Sequence, residues 1–143
     1  MTPGVETRIW LALRQRVTSL PGGLAIDWPG SDFTPPADDG GPLGFVEVRQ
    51  VQSPGTRILI GSQSASGRAG VLQLSLMVPI ARGVADAAVA EMAGQMAAHF
   101  PADLKLRFMG LEVRIERAAD IAAGYRDGVY WRVPVSVRWR AYA

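Results

Sequence analysis

The last fifteen residues carry the strongest pattern in the chain, an alternation of apolar and polar side chains. The apolar positions are Val129, Trp131, Val133, Val135, Val137, Trp139 and Ala141. Because successive side chains of a strand point to opposite faces, this period of two predicts one long strand with an apolar and a polar face. A terminus with so much apolar surface must be packed rather than frayed.

Pro134 lies in the middle of this predicted strand. Proline has no N–H to donate to a neighbouring strand. We therefore expect the strand either to be an edge of the sheet at this position or to be locally bulged.

Two segments have the spacing of amphipathic helices. The first begins at Thr2 and Pro3, residues that favour a helix N-terminus, and ends before Pro21. Its apolar stripe consists of Val5, Ile9, Leu13, Val17 and Leu20. The second covers residues 84–100, is rich in alanine, and is predicted to be broken at Gly94.

The remaining regular segments are predicted strands. They cover residues 45–51, 57–60, 71–80, 104–108 and 111–117. Residues 118–126 form a connector without a clear pattern, and Asp127-Gly128 predicts a turn. Strands that follow one another with few helices between them are typical of an α+β fold with a mostly antiparallel sheet and two helices packed on one face. At 143 residues, we expect a single domain over residues 1–143.

Two segments rich in helix and strand breakers are predicted to be loops. In residues 21–44, 11 of 24 positions are glycine or proline, which excludes a regular element apart from a short extended piece at residues 24–28. Trp28 and Phe33 lie in this loop, and each either pins it to the body of the domain or anchors a partner. Residues 61–70 are small, polar and glycine-rich, so we expect a mobile hairpin tip or loop.

The composition excludes most catalytic and metal chemistry. The chain has no cysteine, which excludes disulfides, thiolate metal sites and cysteine nucleophiles. His99 is the only histidine, and we expect it to face the C-terminus of the second helix favourably. The acidic residues are scattered, and Asp38-Asp39 beside two glycines is more typical of a flexible turn than of a cation site. We predict no catalytic residue, no metal and no cofactor, and hence no enzyme.

The charge pattern argues against nucleic acid and membrane surfaces as partners. The net charge is +2 at pH 7 and the pI is near 9.5, but no run of like charges concentrates the excess. No apolar stretch approaches the ~20 residues of a membrane span, and the N-terminus is unlike a secretory signal. We therefore expect a protein that is made and used in the cytoplasm.

Arginine provides 14 of the 15 basic residues, and Lys105 is the only lysine. Such a bias reflects either the base composition of the source genome or a use of planar charged groups at interfaces. Arg132, Arg138 and Arg140 share the polar face of the last predicted strand. They form either a partner surface or an ordinary solvated strand face.

Taken in order, the segments resemble a known family. Its pattern here consists of the N-terminal helix, Trp28-Pro29 with Phe33 and Pro35-Pro36, the strand GFVEVRQV, G-x-L-Q-x-x-x-x-x-P from Gly70, a small-residue helix ending at His99-Phe100, and VPVSVRWRA from Val133. This order is similar to the tail terminator, or tail-completion, proteins of long-tailed phages and of phage-derived gene transfer agents.

The resemblance implies a small structural protein of the virion tail or neck, assembled in the host cytoplasm. It implies a hexameric ring that caps the head-proximal end of the tail tube, ends tube polymerisation and offers the surface to which the head joins. The implied partners are further copies of the chain, the tail tube protein and a head–tail connector, with DNA passing through the ring without sequence-specific contact. The candidate interface residues are Trp28, Phe33, Arg57, Arg68, Arg132, Arg138 and Arg140.

Two alternatives remain open. The first is another neck or tail component, such as a head-closure protein. The second, from a different class, is a small nucleotide-binding enzyme domain that would use the glycine-rich residues 61–70, although these lack the spacing of a P-loop or a dinucleotide fingerprint. Native mass spectrometry would separate these interpretations, because a ring-forming protein should show a six-fold species.

Overall fold

The computed structural model of the chain describes residues 3–35, 44–52, 56–57 and 66–142. These residues contain two α-helices, α1 (Val5–Thr18) and α2 (Asp86–Ala98), and nine strands. The strands are β1 (Ala25–Asp27), β2 (Phe45–Gln52), β3 (Thr56–Arg57), β4 (Ser66–Pro79), β5 (Lys105–Phe108), β6 (Leu111–Ile115), β7 (Asp120–Ile121), β8 (Tyr125–Asp127) and β9 (Tyr130–Tyr142).

All of these strands belong to one sheet. The order across the sheet is β1-β2-β4-β9-β6-β5, with β3 paired to β4 and with β7 and β8 paired to β9. The β1–β2 pair is parallel and the other pairs are antiparallel. The predicted α+β fold with a mostly antiparallel sheet is therefore confirmed.

The long C-terminal strand is central in the sheet. β9 pairs with β4 along its whole length, from Tyr130 opposite Pro79 to Tyr142 opposite Gly67. Its other edge is shared by β6, β7 and β8, which follow one another along it. The apolar side chains of β9 are buried from Val133 to Ala141, and Trp139 is fully enclosed.

Pro134 lies where the neighbour of β9 is interrupted. Its carbonyl accepts a hydrogen bond from the Ala122 N–H at 2.9 Å, just beyond the end of β7. In an antiparallel ladder the N and the C=O of one residue face the same side. The absent N–H of Pro134 therefore faces the break between β7 and β8, which accommodates the proline inside a central strand.

Both helices pack on the same face of the sheet, as predicted. The buried residues of α1 are Ile9, Ala12, Leu13 and Val17. The buried residues of α2 are Val89, Ala93 and Met96. These side chains form one core with Phe100 and with the apolar side chains of β2, β4, β6 and β9. No helix in the described ranges is long and apolar enough to cross a membrane.

The prediction that Gly94 breaks the second helix is wrong, because α2 is continuous from Asp86 to Ala98. A glycine in a helix interior costs about 1 kcal/mol relative to alanine. The neighbouring Ala93 and Met96 are buried against the sheet, and this tertiary packing outweighs the low helix propensity.

Four further predicted segments are corrected or lie partly outside the described residues. The predicted loop at residues 61–70 is wrong in its second half, because Ser66 already begins β4 and pairs with Arg57. Residues 58–60 of the predicted second strand and residues 61–65 lie outside the described ranges, as do residues 36–43 of the first loop. The connector at residues 118–126 contains β7 and β8, which are too short to show a sequence pattern of their own.

The two helix C-termini are tied together by Arg16 and His99. The Arg16 guanidinium donates two hydrogen bonds to the His99 carbonyl, at 2.9 and 2.7 Å. The His99 Nε2 lies 2.8 Å from Ser19 Oγ and 3.1 Å from the Arg16 carbonyl oxygen. Partial burial, and secondarily the nearby Arg16 charge, lower the pKa of His99 below its ordinary value of 6.5. His99 thus lies at the C-terminus of α2, as expected, and its ring contacts the last turn of α1 beside an arginine.

We expect the C2–H resonance of His99 to titrate with a midpoint below 6.5 in proton NMR of the folded protein. The chain has one histidine, so the assignment is unambiguous. A lowered folded-state pKa means that the unfolded chain binds the proton more readily. The histidine therefore has no effect on stability above pH 6.5 and reduces stability as the pH falls through the folded-state pKa. The Arg16→Met variant should move the midpoint upward; an unchanged midpoint would contradict a contribution from the Arg16 charge.

Val135→Asp should prevent soluble folding, because Val135 is fully buried at the centre of β9. An unpaired buried carboxylate costs several kcal/mol against a total stability of roughly 5–15 kcal/mol. Arg138→Asp is the matched control, since Arg138 lies on the same strand but points to the opposite face and its side chain is 45% exposed. Solubility and thermal denaturation distinguish the two, and a soluble Val135→Asp protein with an unchanged Tm would contradict the central position of β9.

Candidate functional site

The side of the sheet away from the helices is called here the open face. It is formed by the even-numbered residues of β9 together with their register partners on β2, β4 and β6. Two of the three candidate arginines on this face, Arg138 and Arg140, lie toward the C-terminal end of β9. The third, Arg132, lies near the opposite end, and its environment differs from theirs.

Arg132 spans the sheet from β9 to β2. Its Nη1 and Nη2 atoms donate to the two carboxylate oxygens of Glu47 at 3.0 and 3.2 Å, and its Nε donates to Asp127 at 2.8 Å. Its side chain is only 15% exposed. The bidentate contact with Glu47 raises the pKa of Arg132, so the guanidinium remains charged. Arg132 thus stabilises the fold within one chain and is not a free cation of the surface.

A second carboxyl group flanks this ion pair. Asp27 is the register partner of Glu47 in the β1–β2 pair. Partial burial raises the pKa of Asp27, and the Glu47 charge adds to the effect. Together with residues 28–31 and 48–50, the two carboxyl side chains line a cavity of about 320 Å³ at this edge of the sheet.

The two aromatic candidates of the first loop are packed against the body of the chain. The Phe33 ring lies 4.9 Å from the Phe45 ring, which in turn meets the Tyr130 ring edge-on at 5.2 Å. Trp28 meets Trp10 of α1 edge-on, with ring centroids 6.1 Å apart, and the Arg14 guanidinium stacks over the Trp28 ring at 4.6 Å. These contacts hold both residues against the body of the domain, which is one of the two roles that the sequence left open for them.

Arg138 and Arg140 are about half exposed and pair with carboxylates on the neighbouring strands. Arg138 lies 3.8 Å from Asp120, and Arg140 lies 3.3 Å from Glu116. The hairpin of β5 and β6 continues this pattern, with Arg107 3.2 Å from Glu112. Exposed pairs of this kind contribute little stability, about 0–1 kcal/mol each. Among the candidate interface residues on the open face, Arg138 and Arg140 are therefore the two that a partner could contact without disturbing the fold.

The two remaining candidates lie elsewhere. Arg68 is part of β4, not of a loop, and its Nε donates to Glu6 of α1 at 2.8 Å. This contact joins the start of β4 to the first turn of α1. Arg57 lies in β3 opposite Ser66, and its side chain is outside what the structure describes.

An apolar pocket at the N-terminal end of β9 was not predicted from the sequence. It has a volume of about 210 Å³ and is lined by Val78, Pro79, Ile80, Val84, Asp86, Val89 and Trp131. Trp131 belongs to the apolar face of β9, yet it is 40% exposed. Its indole ring lies so close to Gly124 that a Cβ at that position would collide with it. Alternation along a strand shows which face of the sheet a side chain lies on, but it does not show how much of that side chain remains exposed to solvent.

The described part of the chain offers no group of three or more His, Asp or Glu side chains that could hold a metal ion. Gly67, Arg68 and Gly70, which belong to the candidate phosphate-binding segment, are paired in the ladder with β9.

Comparison with known proteins decides the family. The family model described as phage tail terminator protein matches residues 8–139, nearly the whole chain. The chain belongs to the phage tail terminator family. Its members are structural proteins of phage tails, so the chain is a virion component and its family is not one of enzymes.

The fold has a counterpart among solved structures. One chain is 22% identical in sequence, with a TM-score of 0.73 and alignment over 96% of each chain. At this identity the likeness extends to the fold alone. No curated protein sequence matches significantly.

Replacing Arg132 with methionine should lower the free energy of unfolding by about 1–3 kcal/mol. This estimate lies between the cost of breaking an exposed ion pair and the cost of breaking a buried one. The change leaves Glu47 and Asp127 without their cation, next to Asp27. Adding Glu47→Gln should restore part of the loss, as urea denaturation of the single and double variants would show. Arg138→Met is the control and should change the stability by less than about 0.5 kcal/mol. Equal losses in both single variants would contradict the distinction between the two arginines.

Proposed function

We propose that this protein forms a hexameric ring on the head-proximal end of the phage tail tube. The ring ends tube polymerisation and provides the surface to which the DNA-filled head joins. Its partners are neighbouring copies of the chain, the tail tube protein and a connector protein of the neck. DNA passes through the lumen without sequence-specific contact. The observation that carries the proposal is the match of the tail terminator family model to residues 8–139.

Several features of the described residues are compatible with this role. The strands form one continuous sheet whose core includes both helices, which gives a rigid body for assembly. Arg138 and Arg140 are half exposed, and their ion pairs with Asp120 and Glu116 can be exchanged for contacts with a neighbour at little cost. A ring requires two different surfaces on each subunit, because its contacts are heterologous.

Loss of the protein should leave tails of uncontrolled length and heads without tails. Electron microscopy of lysates from a phage or gene transfer agent that lacks this chain would show both. Complementation with the wild-type chain should restore tails of uniform length. Normal particles in the absence of the chain would contradict the proposed role.

A deletion within residues 62–65 offers a finer test of where the ring contacts lie. The change must be confined to residues 62–65, since residues 66–69 are part of β4 and Arg68 bonds to Glu6. This variant keeps every described residue, so its Tm should stay close to that of the wild type. Under the proposal, it fails to complement the deletion. Full complementation would show that this segment does not contribute to the function.

A further inference from the structure

Met109 is an apolar residue held at the tip of a tight hairpin. It occupies the two-residue turn between β5 and β6, with φ of +48° at Met109 and +82° at Gly110. Such turns favour Asn-Gly, and a left-handed conformation is uncommon for methionine. The Arg8 guanidinium donates to the Met109 carbonyl oxygen at 3.2 Å and fixes the tip against α1. The Met109 side chain is 53% exposed, so a strained and fixed turn presents a flexible apolar side chain to solvent.

The other large exposed apolar residues belong to the N-terminal end of β9 and the segments beside it. Within the described part of the chain they are Ile121, Tyr125, Val129 and Trp131. Trp131 lines the pocket, whereas Tyr125 is paired with Arg132 and faces the other side of the sheet. Val129 is the most exposed of them, at 72%, and its carbonyl accepts a hydrogen bond from Ile80 of the pocket wall at 3.0 Å. The pocket of about 210 Å³ is large enough for an unbranched side chain.

The hairpin tip and the pocket lie at opposite ends of β9. The hairpin adjoins the C-terminal end of β9, where Val113 pairs with Ala141. The pocket adjoins its N-terminal end at Trp131. With 13 residues at about 3.3 Å each, β9 separates them by roughly 40 Å. The tip therefore cannot reach the pocket of its own chain.

The tip carries a cation and the pocket wall carries a carboxylate. Arg8 lies at the tip, whereas Arg107, two residues before Met109, is 74% exposed and is already paired with Glu112 of the same hairpin. Asp86 is the charged residue among those that line the pocket. A projecting apolar side chain beside the Arg8 guanidinium thus matches an apolar recess with a carboxylate at its wall.

We propose that Met109 of one subunit inserts into the Trp131 pocket of the next, so that the occupant of the pocket is a second copy of this chain. Such a contact is heterologous, and repeating it around a closed rotation generates a ring. The inference rests on the proposed ring and adds to it the pair of surfaces that meet.

The Met109→Asn variant separates assembly from folding. It removes the projecting side chain and introduces the Asn-Gly sequence that the turn conformation favours. Its Tm should equal or exceed that of the wild type, while the ring species in native mass spectrometry should decrease at least tenfold at equal protein concentration. Assembly equal to that of the wild type would overturn the proposed contact.

Disulfide trapping tests the contact directly, because the natural chain has no cysteine. The double variant Met109→Cys/Val129→Cys, oxidised at high protein concentration, should give a ladder of cross-linked species that ends at the closed ring. The single variants Met109→Cys and Val129→Cys are the controls and should remain uncross-linked. Dimers of Val129→Cys alone would place two pockets against each other and overturn the proposal.

The outcomes also distinguish this inference from the proposed function. If the double variant gives no ladder while native mass spectrometry detects rings, the contact is wrong and the ring stands. If neither a ladder nor rings form, the contact is wrong and the ring in solution is also contradicted. The Met109→Cys/Ala98→Cys variant pairs the tip with an exposed residue at the far end of α2. A ladder from this variant equal to that from the Val129 pair would show random collision and overturn the contact.

Discussion

The ladder between β4 and β9 is the interaction on which the rest of the structure depends. It runs without interruption from Gly67–Tyr142 to Pro79–Tyr130 and places two strands of apolar side chains next to each other under the helices. β2 extends this pair on one side, and β6, β7 and β8 extend it on the other. α2 packs on β9, and α1 packs on β5 and β6, which β9 holds in the sheet through its pairing with β6. Burying a polar group in the middle of the ladder should therefore destabilise the whole core.

The period of two in β9 and the helical stripe of α1 could be predicted from the sequence because each is repeated over several turns or strand positions. The strand at Ser66–Gly70 could not be predicted from the sequence. Its residues are small and polar and show no apolar alternation, and they form a strand because they pair with β9. β7 and β8 are too short for a period to appear, and they exist because the edge of β9 needs hydrogen-bond partners. Helix continuity at Gly94 likewise comes from tertiary packing.

The candidate surfaces were predicted less completely than the fold, and the arginines show why. Arg132, Arg138 and Arg140 share one face of β9, and their sequence spacing makes them equivalent. In the structure Arg132 is held by Glu47 from a strand two positions away, whereas the other two pair with exposed carboxylates. Long-range partners of this kind leave no trace in local sequence. The partial exposure of Trp131 and the pocket beside it also depend on residues far away in the sequence, so they could not be predicted from the local pattern either.

A ring closes only if the two surfaces of each subunit are held at a fixed angle. In the proposed contact, these surfaces are the Met109 turn and the Trp131 pocket, and the β4–β9 ladder connects them. Its 13 register pairs and the buried Trp139 leave little freedom between the two ends. The conformational strain at Met109 is then balanced by the rest of the fold and by the Arg8 hydrogen bond, so the backbone of the turn is held in place before a partner arrives. Pre-ordering reduces the entropy lost on association, which allows a single inserted side chain to direct the contact.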